Sequence, residues 1–148
     1  VDLISACDIR YSTKKSVFQI KEIDLGITAD VGTLQRLPHL IPQGIVRELA
    51  FTGRKFSGNE AQSLGLVNNC YEDKKTMMTE VRKIAEQIAS KSPLAMRGVK
   101  EMLLYSRDHS VASGLNHVAT WNSAMLLSSD LEESIMALMQ NRPPEYND

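Results

Sequence analysis

The spacing of apolar residues constrains this chain most, because it indicates helix over most of the sequence and strand only near its beginning. Strand-like alternation of apolar and polar residues is confined to residues 8–13 and 16–20, which are separated by the turn-forming pair Lys14-Lys15. From Gly32 onward the apolar residues recur at helical spacing. Two strands alone make a marginal sheet. The pattern therefore predicts an α/β chain that is mostly helical.

Capping residues mark where the helices begin and end. Pro42 is predicted to open a short helix that ends near Gly53, and Ser57 is predicted to form a capping box with Glu60. The later helices are predicted to start at Asp73, Ser92, Ser110 and Ser129, and Pro143-Pro144 is predicted to end the last one.

Composition and charge argue against several classes of partner. The 148 residues include 17 Lys+Arg and 18 Asp+Glu, a net charge of −1, which gives no support for a nucleic-acid partner. No apolar run approaches the roughly 20 residues of a membrane helix, so we expect no membrane partner. Cys7 and Cys70 do not make a disulfide framework. His39, His109 and His117 lack metal-ligand spacing, so we expect no metal.

The first residues resemble the interior of a helix or strand rather than the beginning of a chain. The chain begins with Val1 rather than Met, and Val1, Leu3, Ile4 and Ala6 form an apolar start without a polar lead-in. We therefore expect the natural N terminus to lie upstream, where any targeting signal would also lie.

Three acidic residues are notable for the residues that surround them in the sequence. Asp2 lies among the first apolar residues, Glu22 follows the second strand-like segment, and Asp30 lies in an otherwise nearly uncharged stretch. A carboxylate in apolar surroundings must be neutralised, paired or functional. The residues alone leave two interpretations open. Either Asp2 and Asp30 cap helices while Glu22 pairs with Lys21 or Arg10, or the three acids carry out chemistry.

Several motifs together resemble the crotonase (enoyl-CoA hydratase/isomerase) superfamily, over essentially the whole chain. They are residues 1–11, which resemble the stretch after that family's glycine-rich turn, Lys21–Gly26, the G-T-x-x-R-L-P motif at residues 32–38, the E-x-x-x-T-G motif at residues 48–53, Glu60-Ala61, and Gly65-Leu66-Val67. The resemblance implies a crotonase-like fold with a ββα spiral core. Residues 1–91 would form the C-terminal part of that core, and residues 92–148 a helical region for trimerisation and CoA contact. It also implies that this chain lacks the N-terminal half of the domain.

Within the superfamily, the acids resemble those of the dienoyl-CoA isomerases more than those of the hydratases. Hydratases usually carry glutamates at the positions that match Asp2 and Glu22 and a small residue where Asp30 stands, whereas the dienoyl-CoA isomerases have acids at all three. Residues 103–111 also look like that subfamily. The resemblance implies isomerisation of 3,5-dienoyl-CoA to 2,4-dienoyl-CoA in fatty-acid β-oxidation. Asp30 would take a proton from C2, Glu22 would deliver one to C6, and Asp2 would orient the pair.

Other activities remain open on the sequence alone. A hydratase or a 3,2-enoyl-CoA isomerase of the same superfamily is one alternative, and an inactive fragment or oligomerisation module is another. The resemblance places one oxyanion-stabilising backbone N–H in the glycine-rich turn just before Val1 and the other further upstream.

The resemblance also implies partners and a compartment. The substrate would be an acyl-CoA thioester, with no separate cofactor, and Arg142 and Tyr146 would contact CoA. Leu138 departs from the aromatic residue that is usual at its position. The family typically forms trimers that pair into hexamers, so we expect a homo-trimer or homo-hexamer. We expect the mitochondrial matrix or peroxisome in a eukaryote and the cytoplasm in a bacterium.

Overall fold

The computed structural model describes residues 1–147, and the chain divides into two compact units, Val1–Arg82 and Lys83–Asp148. In order along the chain, the first elements are α1 (Asp2–Ser5), β1 (Tyr11–Thr13), β2 (Val17–Phe18), a 3₁₀ helix (Glu22–Leu25), α2 (Thr33–Arg36), a second 3₁₀ helix (Leu37–His39), α3 (Gln43–Thr52), β3 (Phe56–Ser57), α4 (Gly58–Ser63) and β4 (Asn69–Tyr71). The longer helices that follow are α5 (Lys74–Ala89), α6 (Pro93–Asp108), α7 (Val111–Met125) and α8 (Ser129–Gln140). The prediction of a mostly helical α/β chain is confirmed.

The expectation of at most two strands is wrong, because the described residues contain four. The two predicted strand-like segments do contain β1 and β2, and the turn between them closes with a hydrogen bond from the Ser16 N–H to the Thr13 carbonyl, 2.9 Å. β1 pairs in parallel with β4, and β2 pairs antiparallel with β3. Strands as short as β3 and β4 give too few residues for alternation to be visible in sequence.

Most of the predicted helix boundaries are confirmed. Pro42 precedes α3, which ends at Gly53 in the left-handed conformation with φ of 59°. The side chains of Asp73, Ser92 and Ser110 each accept a hydrogen bond from a backbone N–H in the first turn of α5, α6 and α7.

Two capping predictions need correction. Ser128 rather than Ser129 caps α8, because its hydroxyl accepts from the Leu131 N–H. The predicted box at Ser57 is only half formed. The Ser57 hydroxyl accepts from the Glu60 N–H at 3.2 Å, but the Glu60 carboxylate forms a 2.7 Å ion pair with Arg54. A nearby guanidinium thus draws the carboxylate away from the helix start.

The first unit contains the hydrophobic core. Its buried members come from the second 3₁₀ helix, α3, β3, α4 and the segments that connect the elements, and they are Ile20, Ala29, Leu37, Ile41, Val46, Leu49, Phe56, Ala61, Leu66 and Val67. Phe18 and Phe56 stack across the β2–β3 pair with ring centroids 5.3 Å apart. Since Ile20 and Ala29 are both anchored in this core, the segment that carries Glu22 is fixed at both of its ends.

The second unit is built from helices, and two of them, α6 and α7, approach each other closely. A Cβ added at Gly98 of α6 would lie 2.6 Å from Nε1 of Trp121 on α7, so only glycine allows this approach of the two helices. Within residues 1–147, no helix combines the length and the apolar character that crossing a bilayer requires.

Candidate functional site

Asp2 lies in the first turn of α1, and its carboxylate is held by the start of α2. Both the hydroxyl and the backbone N–H of Thr33 donate to Asp2 Oδ1, the N–H over 3.3 Å. The hydroxyl of Thr33, which is almost fully buried, is the main reason that the pKa of Asp2 lies below its ordinary value, and partial burial of Asp2 opposes this effect. Asp2 is therefore an ionised hydrogen-bond acceptor at neutral pH.

Glu22 lies within hydrogen-bonding reach of the same carboxylate. A hydrogen bond from the Glu22 side chain contributes to the lowered pKa of Asp2. The fold thus brings together two of the three acids singled out in the sequence.

The short helix that carries Glu22 is docked on the end of α3. Gln19 Nε2 donates to the Gly53 carbonyl at 2.7 Å and to Asp24 Oδ2 at 3.3 Å. A Cβ at Gly53 would lie 2.9 Å from Cγ2 of Ile23, so glycine permits both the left-handed turn and this close approach. The amide of Gln19 therefore holds the Glu22 helix in place.

An apolar pocket of about 150 Å³ adjoins the Glu22 side chain. Besides Glu22, its lining residues are Ile20, Ile23, Ile27, Thr28, Ala29, Leu34, Ala50 and Phe51. A second pocket of about 310 Å³ shares Leu34, Ala50 and Phe51 with the first. A single carboxyl group in a mostly apolar wall is suited to proton exchange with a hydrocarbon chain.

Asp30 lies on an exposed loop and is absent from the lining of this pocket. Its neighbours in sequence differ sharply, since Ala29 is buried in the core and Val31 is 65% exposed. The structure brings Glu22 near Asp2, whereas Asp30 is exposed. The catalytic role of Asp30 stays a prediction.

Three residues that hold this arrangement have no role in the sequence interpretation. They are Gln19, Thr33 and Arg36, and their hydrogen bonds connect segments that are far apart in the chain. Thr33 and Arg36 belong to the G-T-x-x-R-L-P motif, so their pattern was visible. The pattern indicated a family, but only the folded contacts reveal that these side chains support Asp2.

Arg142 and Tyr146 in the second unit make contacts within that unit. The guanidinium of Arg142 forms a bidentate ion pair with Glu133, at 2.5 and 2.9 Å. This pair, together with the Glu145 N–H, lowers the pKa of Glu133 to about 2. The Tyr146 hydroxyl lies 2.9 Å from the Ser134 hydroxyl. A CoA phosphate would have to compete with Glu133 for Arg142, and contact of either residue with CoA stays a prediction.

Across residues 1–147, the side chains of His, Cys, Asp and Glu nowhere form a group of three that could hold a metal ion. The candidate site is therefore described by its carboxyl groups and its apolar lining.

Comparison with known proteins identifies close relatives along the full chain. The sequence matches the family described as "Enoyl-CoA hydratase/isomerase" over residues 1–148. It is 53% identical over 146 residues to the peroxisomal Delta(3,5)-Delta(2,4)-dienoyl-CoA isomerase of Arabidopsis thaliana, covering 99% of this chain and 52% of that protein. It is 52% identical over 143 residues to the mitochondrial Delta(3,5)-Delta(2,4)-dienoyl-CoA isomerase of Homo sapiens, covering 96% of this chain and 44% of that protein. The chain thus spans about half the length of these relatives.

Solved structures of enoyl-CoA hydratases share the fold of this chain. The crystal structure of an enoyl-CoA hydratase from Bacillus anthracis superposes with a TM-score of 0.91 at 32% sequence identity, covering 96% of this chain and 55% of that one. The predicted crotonase-like fold is confirmed. On the match of sequence, motifs and fold together, the chain belongs to the enoyl-CoA hydratase/isomerase family of the crotonase superfamily.

Proposed function

We propose that the protein containing this chain isomerises 3,5-dienoyl-CoA to 2,4-dienoyl-CoA. The observation that carries the proposal is the Glu22 carboxyl group, which adjoins an apolar pocket and lies close enough to Asp2 to help lower the pKa of Asp2. The names of the Arabidopsis and human relatives support the same reaction. We further propose that it serves fatty-acid β-oxidation, in the mitochondrial matrix or peroxisome, in keeping with the compartments in those two names.

The proposed reaction moves one proton and two double bonds. Asp30 removes a proton from C2, the electron pair of that C–H bond forms the C2=C3 double bond, and the C3=C4 pair shifts to C4=C5. The C5=C6 pair then takes a proton from Glu22 at C6. The two carbon atoms are too far apart for one carboxylate to serve both, which is why two acids are needed. The resemblance assigns stabilisation of the thioester oxygen to backbone N–H groups upstream of Val1.

A specific observation also favours a second candidate, hydration of a 2-enoyl-CoA. The Bacillus anthracis structure with a TM-score of 0.91 is named an enoyl-CoA hydratase. The acid at Asp30 argues for the isomerase, because hydratases usually have a small residue there. Turnover of a 3,5-dienoyl-CoA and of a 2-enoyl-CoA by the same preparation distinguishes the two, and a preference for the 2-enoyl thioester would overturn the isomerase proposal.

The assembly and the CoA contact are also proposals. We propose a homo-trimer or homo-hexamer in which the helices of residues 92–148 supply subunit contacts, supported by the apolar side chains that these helices expose. We propose that Arg142 contacts a CoA phosphate and that Tyr146 lies beside it.

The test of the reaction uses the full-length protein that contains this sequence. Glu22→Gln and Asp30→Asn each remove one acid while keeping side-chain size. Each is expected to lower kcat for the 3,5-dienoyl thioester by at least ~100-fold, the usual size of an acid–base contribution. Glu72→Gln is the matched control for the first, because Glu72 is an exposed partner of Lys14. Asp108→Asn is the control for the second, since Asp108 is an exposed neighbour of Arg107. Near-normal turnover by either acid variant overturns its assignment.

A further inference from the structure

Arg36 connects the helix that carries Asp2 with the loop that carries Asp30. Its Nε donates to the Ser5 hydroxyl at 3.0 Å, and its Nη2 donates to the Asp2 carbonyl at 3.0 Å. The same Nη2 donates to the Val31 carbonyl at 2.8 Å. All three acceptors are neutral oxygens, two on α1 and one next to Asp30. One side chain therefore fixes the distance between two backbone segments that are remote in sequence.

Gly32 provides the space in which the guanidinium lies. Its φ of +95° is a conformation that favours glycine, and a Cβ at this position would overlap the Arg36 guanidinium. The loop backbone therefore covers the planar group from one side while the carbonyls accept its hydrogen bonds. A lysine ammonium is a compact point charge on a flexible stem, so it cannot reproduce this fork of donors.

Arg36 affects the positions of Asp2 and Asp30 through different contacts. Arg36 holds the backbone of α1 at Asp2, and Thr33, in the same short helix as Arg36, holds the Asp2 side chain. Asp30 is exposed, so its position depends on the backbone beside it. The Val31 carbonyl is part of that backbone, and its bond to Arg36 ties it to α1.

We propose that Arg36 is a positioning residue, which sets the Asp30 loop relative to the Asp2 helix through its bonds to Ser5, Asp2 and Val31. The inference rests on the proposed function, because Arg36 would position these acids for the proton transfers proposed above. Arg36 itself does not exchange protons with the substrate in this proposal. Misplacing a catalytic group by about 1 Å can cost up to about 100-fold in rate, so loss of the fork should lower kcat far more than it raises KM.

The first experiment is steady-state kinetics of the full-length Arg36→Lys protein on a 3,5-dienoyl-CoA. We expect kcat to fall by about 10- to 100-fold with KM within about twofold of wild type. Arg107→Lys is the matched control, because Arg107 is exposed near the end of α6 and pairs locally with its neighbour Asp108. Gly32→Ala, which displaces the guanidinium, should lower kcat in the same direction. A kcat within twofold of wild type, or a loss that only follows the folded fraction measured by circular dichroism, overturns the proposal.

The second experiment tests the same contacts of Arg36 without measuring catalysis. The Asp2 carboxyl group is titrated by NMR in protein labelled with ¹³C-carboxyl aspartate. Arg36→Lys should raise the pKa of Asp2 towards its ordinary value, because α1 is no longer held against Thr33, whereas Arg107→Lys should leave it unchanged. An unchanged Asp2 titration in Arg36→Lys overturns the positioning proposal. If the wild-type protein does not isomerise the thioester but the Asp2 pKa does rise in the variant, only the proposed function fails.

Discussion

The two units of the chain differ in what they do with their apolar residues. In Val1–Arg82, Leu37, Leu49 and Leu66 are fully buried in one core. Among the described residues of the second unit, Ala137 is the one buried core-type residue, while Leu127 is 91% exposed. Other strongly exposed side chains of the second unit are Val111, Leu115, Leu103, Leu138 and Met139. The first unit thus buries a core within itself, although Leu3 and Phe51 remain exposed, whereas the second presents apolar faces that another surface would cover.

Local helix signals do not explain this difference. Serine caps of the same kind start α4 in the first unit and α6, α7 and α8 in the second. Sequence periodicity marks an apolar face equally well whether that face meets a core or a partner. Caps and periodicity therefore explain where the helices form. They do not explain which surface covers the apolar face of each helix, so each unit is tested by its own experiment.

The largest effect is expected from the same truncation made in each region. Leu49→Ala removes a fully buried side chain of α3 and should lower the free energy of unfolding of the full-length protein by about 2–5 kcal/mol. Leu127→Ala removes an exposed one and should change protomer stability by no more than about 0.5 kcal/mol. Urea unfolding monitored by circular dichroism measures both.

Sedimentation velocity then tests what covers the second unit. If copies of the chain pack on the apolar faces of the second unit, Leu127→Ala shifts the assembly towards smaller species. Any loss of assembly in Leu49→Ala should instead follow its loss of folded protein. Equal unfolding costs for the two variants at protein concentrations where wild type is monomeric would contradict the contrast between the units. A wild-type protein that is monomeric at all concentrations contradicts the proposed oligomer.

Much of the fold was predictable because its signals are local. Ser92 and Ser110 mark helix starts by side-chain hydrogen bonds that span three residues, Pro42 marks one by its fixed φ, and those positions were correct. The pairing of β1 with β4 was not predictable, because the partners are separated by most of the first unit and each strand has only three residues. At Ser128-Ser129 two adjacent serines could both cap α8, and sequence alone could not choose between them.

The candidate site was predictable in identity more than in geometry. Asp2 and Glu22 were visible in the sequence as candidate acids, and the fold places Glu22 close enough to Asp2 to help lower the pKa of Asp2, while their catalytic roles stay predictions. The contacts of Thr33 and Arg36 with α1 depend on chain folding over long separations, so no periodicity could reveal them. Likewise, the ion pair between Glu133 and Arg142 depends on how the chain turns back after α8.

A smaller effect is expected from Arg142, which tests whether the second unit contributes to ligand binding. A hydrogen bond to a charged group contributes about 1.5–3 kcal/mol, but Arg142 must give up its pair with Glu133 to make one. We therefore expect Arg142→Gln to weaken CoA binding to the full-length protein by about tenfold, measured by isothermal titration calorimetry.

Two matched variants define the outcome for Arg142. Arg107→Gln removes an exposed guanidinium near the end of α6 and should leave CoA affinity unchanged. Glu133→Gln frees Arg142 and should tighten binding. An unchanged dissociation constant for CoA in Arg142→Gln would contradict the proposed contact between Arg142 and CoA.

The smallest effect is the pH dependence of stability that arises from Glu133 in the second unit. The Arg142 pair lowers the pKa of Glu133 from an ordinary 4.5 to about 2. A lowered folded-state pKa means that the unfolded chain binds more protons between these values. The stabilisation by Glu133 is therefore complete above about pH 4.5 and is lost as the pH falls towards 2.

Glu133→Gln should remove this part of the slope, whereas Glu132→Gln, one position earlier in α8, should retain it. The free energy of unfolding of the full-length protein, measured between pH 2 and 6 in high and low salt, checks both variants. Because both partners are partly exposed, added salt should weaken the slope in wild type. Identical slopes for wild type and Glu133→Gln would show that the pair with Arg142 is not maintained in solution, which would leave that guanidinium available to a phosphate.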